Sequence, residues 1–112
     1  MLWTVGAIVG VFVALWVVRR LGQVDRAEAR RLVEAGARLI DVRTPEEFES
    51  GHLSAAKNLP LRELAARLGE LEPKSAPVVL YCESGTRSAV ARRILKRGGF
   101  TAVYDLGAMR RW

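Results

Sequence analysis

The chain has 112 residues, half of them hydrophobic, and 18 Lys and Arg against 12 Asp and Glu give a formal net charge of +6. That length allows one modest domain with one core. A lone cysteine, Cys82, excludes an intramolecular disulfide, and Cys82 with the lone histidine, His52, cannot build a metal cage, so neither metal nor cofactor is expected.

Residues 1–18, MLWTVGAIVGVFVALWVV, carry no charged side chain. As a helix they would reach roughly 27 Å at about 1.5 Å per residue, just short of a hydrocarbon core of about 30 Å. Trp3 and Trp16 sit near the two ends, where amphipathic rings favour the interface, and Arg19 and Arg20 close the run. No basic stretch precedes it and no small-x-small site follows it, which argues against a cleaved signal peptide. A soluble helix would rarely be apolar on every face. The pattern predicts a transmembrane anchor over 1–18 and a basic juxtamembrane linker over 19–23. Arg19, Arg20, Arg26, Arg30 and Arg31 all follow the apolar run, so the expected topology is single-pass with the domain facing the cytoplasm. That compartment is reducing, which suits an unpaired thiol. Gly6 and Gly10 form a GxxxG pair through which two helices could make a weak dimer, although glycine is common in membrane helices in any case.

Residues 21–24 read as a connector or a first small strand. Asp25 is placed as a helix N-cap, with Glu28 completing a capping box and Ala27, Leu32, Val33 and Ala35 forming the apolar side of a helix over 26–35. Gly36 can end it in a left-handed conformation. RLIDV (38–42) reads as a short strand. In TPEEF (44–48), Thr44 is the cap, Pro45 the first helical residue, and the acids fill the first turn. GHLSAAKNLP (51–60) is a loop passing into a short strand, and LRELAARL (61–68) has helical spacing. After the break at Pro73 to Pro77, VVLYC (78–82) has the pattern of a strand covered on both faces. Ala89, Val90, Ile94 and Leu95 predict a helix over 86–97 stopped by Gly98 and Gly99; TAVYDL (101–106) is a last strand and GAMRRW a tail. Strands alternate with helices, so the expected class is α/β with a mostly parallel sheet flanked by helices and preceded by the N-terminal transmembrane helix.

Ligands of such sheets bind past the carboxyl ends of the strands. Cys82 ends a central strand there, and a helix starts a few residues on. The amides of Glu83, Ser84, Gly85, Thr86, Arg87 and Ser88 can curl into a nest, the helix adds its positive dipole end, and Arg87 adds a full charge. All three favour a thiolate at Cys82 and would hold an incoming anion. Gly85 suits a turn of positive φ. A lone cysteine is more often a small buried hydrophobe. Strand, tight polar loop, arginine and helix together favour a functional loop here.

The loop CESGTRS resembles the active-site loop of the rhodanese (sulfurtransferase) family. DVRTPEEFESGHLSAAKNLP (41–60) is similar to that family's other signature, and LGAMRRW (106–112) to its closing Gly-Gly-Met-x-x-Trp. The resemblance runs in order over residues 24–112. Ala55 and Ala108 stand where the family usually has glycine, and the closing helix is expected to be short. The resemblance implies a two-step transfer. The Cys82 thiolate attacks the outer sulfur of a small anionic donor such as thiosulfate, sulfite leaves, and the Cys82 persulfide passes its sulfur to cyanide, a thiol or a protein acceptor. It further implies that amides 83–88 hold the anion and the persulfide, that Arg87 binds the donor's charged end, and that Asp41 and Arg43 brace the site. His52 is a structural hydrogen-bonder in this comparison. Glu83, an acid beside the thiolate, would weaken anion binding unless its side chain points outward.

Two other functions fit parts of the pattern. Cysteine phosphatases and arsenate reductases also use a Cys-to-Arg loop, but they set the arginine one position further on, where Ser88 stands. A membrane-tethered sulfur-relay or binding module without turnover of free thiosulfate is the second. Arg92, Arg93, Lys96 and Arg97 cluster at a helix C-terminus, where cations are favoured; the preferred reading is a solvated face, with contact to lipid headgroups as the alternative. No aromatic platform suggests nucleic-acid binding.

Overall fold

The computed structural model describes the backbone of residues 2–112 and the side chains of residues 4–15 and 22–112. The first element, α1, is Leu2–Leu21. The anchor expected over 1–18 therefore lies partly outside the described residues. Among those described, no helix is long and apolar enough to cross a membrane, so the structure does not support the expected spanning helix. Within α1, Val5, Ile8, Val9, Val11, Phe12, Val13 and Leu15 are each more than half exposed.

The rest of the chain follows its local signals. In α2 (Arg26–Glu34) the Asp25 carboxylate accepts from the Glu28 amide at 2.8 Å. Glu28 does not return to the cap as expected; its carboxylate pairs with Arg31 at 3.0 Å, one turn on. In α3 (Pro45–Ser50) Thr44 and Glu47 form a complete capping box. The helix expected over 61–68 divides into α4 (Leu61–Leu64) and a 3-10 segment, Ala65–Leu71, at a kink where Arg67 leaves helical geometry. The kinked segment brings Leu71, like Leu64, into the buried core. Next come β3 (Val78–Cys82), α5 (Thr86–Arg97) and β4 (Val103–Ala108).

With β1 (Arg38–Asp41) and β2 (Lys57–Asn58), the strands form one parallel sheet in the order β2-β1-β3-β4. Gln23 makes a single parallel bridge to Asp105 at the open edge of β4, which is all that remains of the small first strand. β3 is buried along its whole length, and its side chains alternate. Val78, Leu80 and Cys82 join the core under α4 and α5; Val79 and Tyr81 join the core under α2. This alternation puts the Cys82 sulfur on the α5 side.

β4 runs two residues past its expected end. Gly107, read as the start of the tail, follows a bulge: the β3–β4 register shifts at Leu80/Tyr81, skipping Leu106, and Gly107 pairs with Tyr81 at φ +87°. A Cβ there would stand 2.6 Å from Gln23 Nε2. The bulge lets Ala108 pair with Cys82 at the mouth of the site.

Candidate active site

β3 delivers Cys82 to the carboxyl end of the sheet with its side chain fully buried. The sulfur accepts from the Gly85 amide at 3.0 Å and the Ser88 amide at 3.4 Å. Gly85 is the N-cap of α5 with φ +97°, and a Cβ there would meet Gln23 Nε2 at 3.2 Å. The turn therefore requires glycine for its backbone and its packing. Ser88 is buried, and its hydroxyl donates to the Gly85 carbonyl at 3.2 Å, closing the loop on itself. Glu83, Ser84 and Thr86 are exposed on the rim. Of the six expected loop residues, Gly85 and Ser88 thus direct amides at sulfur, three form the rim, and Arg87 faces a different partner from the one expected.

That partner is Glu47. Arg87 Nη1 and Nη2 donate to its two carboxylate oxygens at 2.6 and 3.0 Å, both side chains about one third exposed. Glu47 Oε1 also accepts from the amide and hydroxyl of Thr44, each at 3.1 Å. The Arg87 hydrogen bonds, outweighing partial burial, hold the Glu47 carboxyl at about 2 against 4.5 ordinarily. The same bonds raise Arg87. Glu47 was legible in the sequence only as one of the acids in the first turn of a helix.

Asp41 and Arg43 form a second, interior pair. Arg43 Nε lies 3.0 Å from both Asp41 oxygens, and Nη2 donates to Oδ2 at 2.7 Å. The Arg43 amide adds a bond to Oδ1 at 2.9 Å. The guanidinium also reaches the Gly51 carbonyl at 2.7 Å and Glu83 Oε2 at 3.1 Å, and it lies over the Tyr81 ring. These contacts join the end of β1, the Gly51 turn and the Cys82 loop. They also account for Glu83: its carboxylate is tied to Arg43, with the side chain 61% exposed, so it points outward. Asn58, which the sequence did not single out, pins the same turn by donating to the carbonyls of Asp41 and Arg43.

His52 stacks on Phe48 with ring centroids 3.6 Å apart, and its Nδ1 donates to the Phe48 carbonyl at 2.8 Å. Across the sheet, Asp105 accepts from the Gly107 amide at 2.8 Å, and burial pushes its carboxyl upward. Arg111 donates to Gln23 Oε1 and the Leu106 carbonyl, fastening the tail to the bulge. A cleft of about 200 Å³ opens beside Arg87, lined by Val42, Thr44, Pro60, Leu61 and Arg62.

A sulfur atom receiving amides at the head of a helix can act as a nucleophile, and the same amides can hold an anion. Comparison with known proteins places the chain in a family. The family profile of the rhodanese-like domain matches residues 25–112. The chain is 44% identical over 77 residues to the uncharacterized protein YqhL of Bacillus subtilis, covering 68% of this chain and 60%, less than two thirds, of YqhL. It is 37% identical over 79 residues to the thiosulfate sulfurtransferase PspE of Escherichia coli, covering 70% of this chain and 76% of PspE. The solved human single-domain sulfurtransferase TSTD1 superposes with a TM-score of 0.71 at 30% identity, covering 81% of this chain and 94% of that one.

Proposed function

We propose that this chain, which belongs to the rhodanese-like domain family, transfers a sulfane sulfur from a small anionic donor such as thiosulfate, through a Cys82 persulfide, to a nucleophilic acceptor. The observation that carries the proposal is the Cys82 sulfur at the end of β3 with the Gly85 and Ser88 amides directed at it. The Cys82 thiolate attacks the outer sulfur of thiosulfate. The new Sγ–S bond forms as the S–S bond of the donor breaks, and sulfite leaves with the electron pair. Cyanide or a thiolate then attacks the outer sulfur of the persulfide and returns the Cys82 thiolate. The charge on sulfur is met by the loop amides and the α5 dipole, so no general base is needed. Gly85 and Ser88 hold the anion through their amides, Glu83, Ser84 and Thr86 frame the entrance, and Asp41 and Arg43 brace the loop. Arg87 meets the donor's charged end once it exchanges partners with Glu47.

Protein treated with thiosulfate and weighed intact should gain one sulfur atom, and Cys82→Ser should gain none. An unchanged mass in the wild type sinks the proposal. Hydrolysis of an aryl phosphate without thiosulfate turnover would favour the phosphatase alternative instead. Relay from a protein donor without free thiosulfate turnover is supported by the full burial of Cys82 and the engagement of Arg87 by Glu47. It would appear as persulfide formation only from a protein-borne donor.

The proposal also places the domain at the cytoplasmic face of a membrane, held by residues 1–18. Its support is the uncharged sequence of that segment, the arginines that follow, and the exposed apolar side chains around α1. The sulfur-transfer site is built within one chain and needs no dimer through Gly6 and Gly10. Carbonate-washed membranes should retain the full chain and release one lacking residues 1–18. Protease added to intact cells should leave the domain uncut; recovery of the full chain in the soluble fraction rejects the anchor.

A further inference from the structure

We infer that Glu47, acting through Arg87, sets the charge of the sulfur donor, selecting monoanionic organic donors over dianions; the inference rests on the sulfur-transfer site proposed above. Arg87, the only cation of the Cys82–Ser88 loop, is held at both terminal nitrogens by Glu47. Arg43, the other cation reaching the loop, is matched by Asp41 and Glu83. Those two arginines therefore face three carboxylates, Asp41, Glu47 and Glu83, and carry no surplus positive charge between them. An anion at Cys82 is met by the Gly85 and Ser88 amides and the head of α5. One negative charge suits those donors. A second adds little attraction and meets the Glu47 carboxylate beside Arg87.

The adjacent cleft fits the same donor class. Val42, Pro60 and Leu61 offer an apolar wall beside Arg87, with exposed Arg62 at its margin. Inorganic thiosulfate leaves that wall empty, whereas a thiosulfonate or an organic persulfide would place its organic group against it. For a thiosulfonate the transfer balances in the same way: the Cys82 thiolate takes the outer sulfur, and the sulfinate leaves with the electron pair.

Glu47 also caps α3, and the substitution can separate its two roles. Gln serves the capping box as Glu does but carries no charge. The interaction of one fixed charge with a dianion is twice that with a monoanion, so the change in affinity for the dianion is the square of the change for the monoanion. Two probes without transferable sulfur, sulfate and benzenesulfonate, can be titrated against the full chain while the Gly85 and Ser88 amide signals are followed by NMR. Glu47→Gln should tighten benzenesulfonate about threefold and sulfate about tenfold, the difference shrinking as salt is added. Glu47→Asp, which keeps the charge but shortens the reach, should keep the wild-type preference. An unchanged sulfate-to-benzenesulfonate ratio in Glu47→Gln, an equal shift in Glu47→Asp, or no response of those amides to either ion overturns the inference. These titrations need no turnover. Failure of the sulfur-transfer proposal would show separately, as wild-type protein that takes up no sulfur from thiosulfate or thiosulfonate.

Discussion

Arg43 and Arg87 each grip a carboxylate with two nitrogens beside the same loop, but one pair lies in the interior and the other near the surface. Asp41 and Arg43 are at most 3% exposed, whereas Glu47 and Arg87 are about one third exposed. An interior pair cannot lose one member without stranding a charge in a poorly solvated place, so its geometry is kept in every state of the folded protein. A half-solvated pair can exchange either partner for water or a ligand at small cost. Similar chemistry thus serves as a brace in one place and an exchangeable contact in the other, and burial makes the difference.

The contrast is broken most directly at Arg43. Arg43→Met leaves Asp41 buried without its partner and should cost about 3–5 kcal/mol, read as a fall in the urea midpoint. Adding Asp41→Asn should return part of that loss; no recovery in the double variant would mean that the charges are not the cause. Thr44→Ala tests the frame that holds Glu47. It removes an N-cap and should cost about 1 kcal/mol while the interior pair is untouched. Arg87→Met should change stability by less than about 1 kcal/mol, with its main effect on the KM for thiosulfate. A loss as large as that of Arg43→Met would erase the distinction between brace and exchangeable contact.

The smallest effect is the dependence on acid. The Glu47 carboxyl titrates at about 2 in the fold against 4.5 ordinarily. Its contribution to stability is therefore complete above about pH 4.5 and is lost as pH falls toward 2. Solvent screening keeps it below about 1 kcal/mol. Unfolding curves across that window should lose this part of their slope in Glu47→Gln, and a slope identical to wild type would show that the pair adds nothing measurable.

Where structure was legible in the sequence, the interactions were short in range. Asp25 caps a helix through an amide three residues on, Thr44 and Pro45 start another, and Gly85 supplies the left-handed turn after Cys82. The uninterrupted apolar run VVLYC marked the central strand because a strand with helices on both faces has no solvent side. The same local signals failed where a residue serves two distances at once. Glu47 reads as a first-turn acid, a local role that hides its bond to Arg87, 40 residues away. Gly107 reads as the start of a tail, but it extends β4 past its bulge and packs against Gln23 and the Cys82 loop.

By itself the sequence determined the alternation of strands and helices, the placing of the lone thiol at a strand-to-helix junction, and the resemblance of that loop to a sulfur-transfer site. Those properties depend on hydrophobic period, caps and loop residues, all of which act within a few positions. Only the tertiary structure decided how the charges around the thiol are matched. Arg43 takes Glu83 across 40 residues and turns it outward, and Glu47 occupies the arginine of the Cys82 loop. Electrostatic partners are chosen by distance in space after the chain has folded, and spacing along the chain does not encode that distance.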